Sequence, residues 1–271
     1  KDIPAGGIIP IQPESRAGDL SFVPETVVTN PRIYYGENTT DYVIVNTNTD
    51  ELDYQTKEGD LFRTNYSGTG GVRLSSFIRR AAFAWELGDV NILISGEITP
   101  ASMLQYRRAV RESISTVAPF LLLDGDPYLV AADGQIYWIQ DAYTFTGRYP
   151  YSDPLDGGFN YIRNSVKVTV DAYNGTLRFY IADASDPIIR TYDAIFPDLL
   201  APWDEMPAAL RSHTRYPEDF FKFQALKYVR YHMREPQTFY NNEDLCDIPQ
   251  EKFGQTAELQ PVEPYYTIMR L

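Results

Sequence analysis

Val166-Lys167-Val168-Thr169-Val170-Asp171-Ala172-Tyr173-Asn174-Gly175-Thr176-Leu177-Arg178-Phe179-Tyr180-Ile181 carries the clearest local signal in the chain. Val166, Val168 and Val170 fall on one side of a period-two repeat, and Leu177, Phe179 and Ile181 do the same beyond Asn174-Gly175. Side chains that alternate in this way belong to strands. Asn-Gly tolerates the left-handed backbone that a primed two-residue turn requires. The stretch predicts a tight antiparallel hairpin with one buried face. Just upstream, Tyr128 to Ala132, a turn at Asp133-Gly134, and Ile136 to Phe145 predict a second hairpin. Residues 121–185 therefore read as a β-rich subregion. The two hairpins share an echo, Asp141-Ala142-Tyr143-Thr144 and Asp171-Ala172-Tyr173-Asn174, which reads as strand ends entering turns rather than as a repeat.

Helical patterns flank this centre. Leu74, Phe77, Ile78, Ala81, Ala82 and Trp85 have the spacing of one helix face, closed by Gly88 at the C′ position. Val90 to Ser95 reads as a strand. Thr99-Pro100 then offers an N-cap and a first-turn proline for a helix to about Val117, with Met103, Tyr106, Val110, Ile114 and Val117 inward. After Asp186-Pro187, helices are expected over Ile189 to Phe196, Glu205 to Ser212 and Pro217 to Met233. The last is apolar nearly all round and is expected to be largely buried. Residues 1–40 are rich in Pro and Gly and read as an extended strap, Tyr42 to Val45 as a short strand, Asn46 to Gly71 as a long loop, and Tyr265 to Leu271 as a closing strand. The expected class is α+β: antiparallel hairpins forming a sheet, helices packed on one side, a long N-terminal strap, and a single domain over residues 41–271. The length keeps a division into two domains open.

At 44% hydrophobic and 23% charged residues, the composition is that of a folding, soluble domain. The formal charge of -13 creates a field that repels phosphate backbones, so no nucleic-acid partner is expected. The opening Lys1-Asp2-Ile3-Pro4 reads as a piece of something longer, and the chain ends abruptly. Cys246 is the single cysteine, which excludes an intrachain disulfide and a multi-cysteine zinc site.

No reactive constellation stands out. Ser67-Gly68-Thr69-Gly70-Gly71 leads into an expected helix and invites an anion, yet lacks the Gly-Lys-Ser/Thr ending of a phosphate loop, so a plain loop is favoured. His213 sits in a polar turn beside a carboxylate-rich helix start, and His232 on a mostly apolar helix reads as a core histidine. No Gly-x-Ser-x-Gly turn marks a nucleophile for either. Asn46, Asn48 and Asp50 have calcium-loop spacing, but Glu51 stands where glycine is needed. Asp124, Asp126 and Asp133 fit ordinary turns better than a cation site. No cofactor and no metal are expected. The surface most suited to contact is Trp138, Asp141, Tyr143, Arg148, Tyr149, Tyr151 and Asp153, where amphipathic rings are interleaved with charge around an expected loop. Equally, half of these side chains face the sheet's core if strand alternation holds.

Pro31-Arg32-Ile33-Tyr34-Tyr35-Gly36-Glu37, Asp126-Pro127-Tyr128-Leu129-Val130 with Tyr137-Trp138-Ile139, Tyr149-Pro150-Tyr151-Ser152, Asn160-Tyr161-Ile162-Arg163-Asn164-Ser165-Val166-Lys167 and Arg215-Tyr216-Pro217-Glu218-Asp219 together resemble Uncharacterised Protein Family 0182. These are large bacterial and archaeal membrane proteins. The resemblance implies spanning helices upstream and a domain on the extracytoplasmic face of the membrane, of which this chain is a part. It carries no assigned reaction, and it sets Cys246 where relatives often have an aromatic residue. The leading expectation is a non-enzymatic domain that binds an envelope component or a partner protein. The rival is an envelope hydrolase using paired carboxylates, and a third reading is a scaffold unit.

Overall fold

The computed structural model describes residues 28–55, 59, 61–155, 157–253 and 258–266. Its centre is a six-stranded sheet built from β6 (Leu122–Leu123), β7 (Tyr128–Ala132), β8 (Gln135–Thr146), β9 (Tyr161–Asp171), β10 (Leu177–Ile181) and β11 (Leu200–Pro202). The order is β11-β10-β9-β8-β6, and β7 shares the β8 edge with β6. All pairs are antiparallel except β10 with β11. That parallel pair is joined by helix α4 (Pro187–Ile195), as a crossover demands.

Both expected hairpins form. The first turns at Asp133-Gly134 with φ 51° and 77°, the left-handed pair of a primed turn. The second differs from the expected two-residue turn: Asp171 pairs with Thr176, leaving Ala172 to Gly175 as the loop. The Asp171 carboxylate accepts the amides of Tyr173 and Asn174, so a side-chain turn replaces the primed one and only Gly175 is left-handed, at φ 72°.

Alternation divides the sheet into two faces. Val166, Val168, Val170, Ile136, Trp138, Ala142 and Phe179 pack against Val110 and Ile114 of α3 (Val110–Val117) and Ile189 of α4. On the other face, Val130, Ile139 and Tyr180 meet Met206 and Leu210, the latter on α5 (Ala208–Arg211). Tyr143 stacks on Phe220 of α6 (Glu218–Tyr231), ring centroids 5.9 Å apart. The α+β class with antiparallel hairpins is observed, and the second face has its own cover in α5 and α6.

A smaller antiparallel sheet joins β1 (Val43–Val45), β5 (Met103–Gln105) and β4 (Val72–Arg73) in the order β1-β5-β4. Leu74, Ile92 and Leu104 bury beneath Phe83, Ala84 and Leu87 of α1 (Phe77–Leu87), which is capped by Ser76 and stopped by left-handed Gly88 at φ 67°. Several sequence expectations change here. Val90 to Ser95 is not a strand but carries the short helix α2 (Asn91–Ile94). The helix expected from Pro100 begins only at Val110, because pairing to β1 and β4 takes Met103–Gln105 into a strand and Arg107 turns at φ 49°. The loop over 46–71 contains a ribbon, β2 (Glu51–Gln55) with β3 (Leu61–Thr64), held by a Tyr54–Phe62 ring stack. Glu205 to Ser212 is split at Pro207 into a 3-10 turn (Trp203–Glu205) and α5. A short helix α7 (Pro236–Asn241) and a ribbon β12 (Gln250–Phe253) with β13 (Glu258–Pro261) complete the chain.

Most of the proposed strap, and the closing strand beyond Tyr266, lie outside the described residues. From Val28 onward this segment is docked and bends at Tyr34-Tyr35 and Glu37-Asn38: Val28 enters the core, and the amides of Tyr34 and Tyr35 donate to the Ala172 carbonyl at 2.9 Å. Among the described residues no helix is long and apolar enough to cross a membrane.

Candidate binding cleft

Helix α6 is the element whose placement departs most from its sequence. It has no fully buried residue: Phe221, Tyr228 and Tyr231 are 53%, 71% and 55% exposed. Phe220, Phe223, Gln224, Lys227, Tyr228 and Tyr231 share one face by i, i+3, i+4 spacing. The first turns of that face pack on Tyr143. The later turns form one wall of an open cleft of about 630 Å³.

The opposite wall is the loop that leaves β8 and returns to β9, with Tyr149, Tyr151, Asp153, Leu155 and Phe159, together with Tyr161 at the start of β9. Asn160 shapes this loop. Its Oδ1 accepts the Tyr149 amide at 2.9 Å, and its Nδ2 donates to the carbonyls of Tyr149 and Ser152 at 2.8 and 3.0 Å. At the neck, a Cβ on Gly147 would lie 2.4 Å from the Gly158 carbonyl oxygen, so only glycine fits. Tyr149 stacks on Tyr161 at 5.5 Å, and the Tyr161 hydroxyl donates to Asp186 at 2.8 Å, which anchors the platform to the start of α4. Lys227 donates to the carbonyl and carboxylate of Asp153 at 3.0 and 3.2 Å, tying the loop to α6. Tyr151 holds a left-handed φ of 59° and projects fully into solvent. Such strain in a non-glycine residue is what tightly pinned loops sustain.

Beneath α6 lies a polar network. Lys167 donates to Asp141 and to the Arg215 carbonyl, and Asn164 donates to Asp141 at 3.1 Å. Tyr143 donates its hydroxyl to Asp124, which also accepts the Asp219 amide at 3.1 Å and so serves as a cap for α6. Asp219 in turn accepts the Gly125 amide at 2.7 Å, while Arg215 pairs with Asp126 and lies 4.0 Å over the Tyr128 ring. Burial pushes the Asp141 carboxyl up despite Lys167 beside it. Burial, with Asp126 and Asp124 nearby, likewise raises Glu218.

The seven residues singled out from sequence are therefore divided. Tyr149, Tyr151 and Asp153 line the cleft, with exposed Arg148 in the same loop. Trp138 is buried on the far face, where its Nε1 donates to the Tyr35 carbonyl at 3.0 Å. Asp141 and Tyr143 are buried in the network under α6. Phe159, Phe220, Phe223, Lys227, Tyr228 and Tyr231 also line the cleft, and the sequence reading misses them; for the rings of α6 the signal is their unbroken pattern, which by itself reads as burial.

Other sequence candidates are occupied otherwise. In the glycine-rich loop, the amides of Ser67, Thr69 and Gly70 donate to Tyr173 Oη, Asn174 Oδ1 and Tyr66 Oη, so the loop clasps the 172–175 turn and leads into β4, not a helix. His232 is not a core residue: it lies half-buried at the end of α6, Nδ1 3.0 Å from the Tyr228 carbonyl and Nε2 3.6 Å from Cys246 Sγ. His213 is exposed after α5. Among the described residues, no three His, Cys, Asp or Glu side chains are grouped to hold a metal.

Comparison with known proteins agrees with the sequence phrases. The model of an uncharacterised protein family, UPF0182, matches residues 9–271. The chain belongs to the UPF0182 family. A UPF0182 protein of Pelotomaculum thermopropionicum is 50% identical over 244 residues, covering 90% of this chain and 26% of the relative. UPF0182 proteins of Geobacter sulfurreducens and Moorella thermoacetica are 51% and 47% identical, covering 90% and 99% of this chain and 27% and 29% of theirs. The chain thus spans between a quarter and a third of the length of these UPF0182 relatives. No solved structure matches it significantly.

Proposed function

We propose that this UPF0182 chain is a binding domain on the extracytoplasmic face of a membrane protein, and that its cleft takes up a segment of a partner polypeptide by apolar side chains. The observation that carries the reading is the uncovered ring stripe of α6 facing a pinned aromatic loop. A helix apolar all round is ordinarily buried, so a face left open is a surface held for another molecule. The polar groups of the cleft decide what kind. Asn160 is spent on the loop backbone and Lys227 and Asp153 on each other, which leaves ring faces rimmed by the hydroxyls of Tyr149, Tyr151, Tyr228 and Tyr231. Ring faces with hydroxyls at their rims suit a polypeptide segment that buries apolar side chains against the rings and bonds its backbone at the rim. The membrane setting rests on the sequence phrases that resemble the family.

The hydrolytic alternative needs carboxyl groups free to meet a substrate. Asp124, Asp126 and Asp141 are instead bonded to Tyr143, Arg215 and Lys167, and Asp153 lies in the cleft loop apart from them. The test is co-purification with the full-length protein. Tyr149→Ala with Tyr151→Ala is expected to remove the bound partner while leaving the melting temperature within a few degrees, because the loop is held by Asn160 and Ser152. An unchanged partner set defeats the reading.

A further inference from the structure

A second groove, of about 560 Å³, shares no lining residue with the aromatic cleft and is built from residues between Pro31 and Arg108. It is lined by Tyr34, by Val43–Val45 of β1, by Glu51, Leu52 and Asp53 of β2, and by Arg108. Two features of it are unspent. The first is main chain: β1 ends the order β1-β5-β4, and β2 pairs only with β3 among the described residues, so both are edge strands. Edge strands present unpaired N–H and C=O groups, the standing template for an added strand.

The second is charge. Every other ionised group lining the groove is paired: Arg32 with Asp53 at 2.7 Å, and Glu51 with the Tyr34 hydroxyl at 2.5 Å and the amides of Asn46 and Tyr66 at 3.2 Å. Arg108 alone meets no carboxylate within salt-bridge distance among the described residues. Its Nε donates to the Tyr34 carbonyl at 2.6 Å and one terminal nitrogen to the Asp41 carbonyl at 2.9 Å, which fixes the guanidinium. Burial works against its charge, and Asp41 only partly offsets that. A partly desolvated, immobilised guanidinium beside a strand edge has donors left for one carboxylate.

We infer that this groove binds the C-terminus of an extended polypeptide, with main-chain bonds to an edge strand and the terminal carboxylate on Arg108. Strand addition and terminal-carboxylate capture are separate recognition modes that this groove combines. Exposed Leu52 and Ile33 offer the alternating apolar contacts that a peptide side chain would use. The chain's charge of -13 opposes any carboxylate from a distance, so recognition comes from the short guanidinium contact and not from the long-range field. The site is independent of the aromatic cleft.

The experiment takes the 271-residue chain and a synthetic heptapeptide pool randomised over the last four positions, each C-terminus either free or amidated. Retained sequences are then measured singly. Free acids are expected to bind, with their amides about tenfold or more weaker, and to slow hydrogen exchange at Val43–Val45. Arg108→Gln is expected to abolish the difference between acid and amide, and Arg108→Lys to keep part of it. Should Arg108→Gln fail to fold, the acid and amide comparison on the unaltered chain decides alone. No retained acid, equal binding of acid and amide, or protection at Tyr149–Phe159 instead of β1 would each overturn the inference.

Discussion

Lys167 and Asp141 face each other across β9 and β8 with side chains only 8% and 3% exposed. A buried pair gives little net stability, but breaking it strands a charge. Lys167→Met should destabilise the chain by roughly 3–5 kcal/mol, and Lys167→Met with Asp141→Leu should recover most of that loss. Chemical denaturation of the three proteins measures it; a double variant no better than the single would show that the pair does not act as a unit. At this scale the sequence is an uneven guide. The period-two pattern places Val166, Val168 and Val170 on one face, and nothing in it reveals that Lys167 and Asp141 meet on the other. That contact depends on the register between β8 and β9, a long-range choice. The same alternation shows why Trp138 and Tyr143 are buried: β8 is covered on both faces, so its rings are core whichever way they point.

Among the elements, the two hairpins are legible because their period-two pattern is short-range; turn chemistry agrees with it at Asp133-Gly134, whereas at Asn174-Gly175 the Asp171 carboxylate builds a longer loop than the pair implies. The stretch from Val90 to Val117 is not, because pairing with β1 and β4 outweighs a helical spacing that is genuine only after Val110. Helix α6 misleads for a different reason. A ring pattern on all sides tells that surface wants covering, but not whether the same chain covers it. Glycine substitutions separate local strain from contact between elements. Gly88 ends α1 at φ 67°, and a Cβ there would meet nothing within 4 Å, so Gly88→Ala should cost only about 1–2 kcal/mol. Gly175 has φ 72°, but there a Cβ would lie 2.4 Å from the Tyr35 ring, so Gly175→Ala should cost more and loosen the strap from the hairpin. Hydrogen exchange at Tyr34 and Tyr35, whose amides donate to Ala172, reports that loosening; equal losses of stability in the two variants would contradict it.

For the molecule as a whole, the chain spans between a quarter and a third of the length of its UPF0182 relatives. Cys246 is the chain's single cysteine and is exposed, which makes it a reporter for the proposed extracytoplasmic placement. In full-length protein whose other cysteines are replaced, a membrane-impermeant maleimide should label Cys246 in intact cells; labelling only after lysis would place the domain inside. The most direct test concerns the cleft itself. With a photoreactive benzoylphenylalanine in place of Tyr151 in the full-length protein, the account predicts a covalent adduct to one polypeptide, lost when Tyr228→Ala and Tyr231→Ala strip the facing wall. Absence of an adduct, or an adduct indifferent to those two changes, would contradict it.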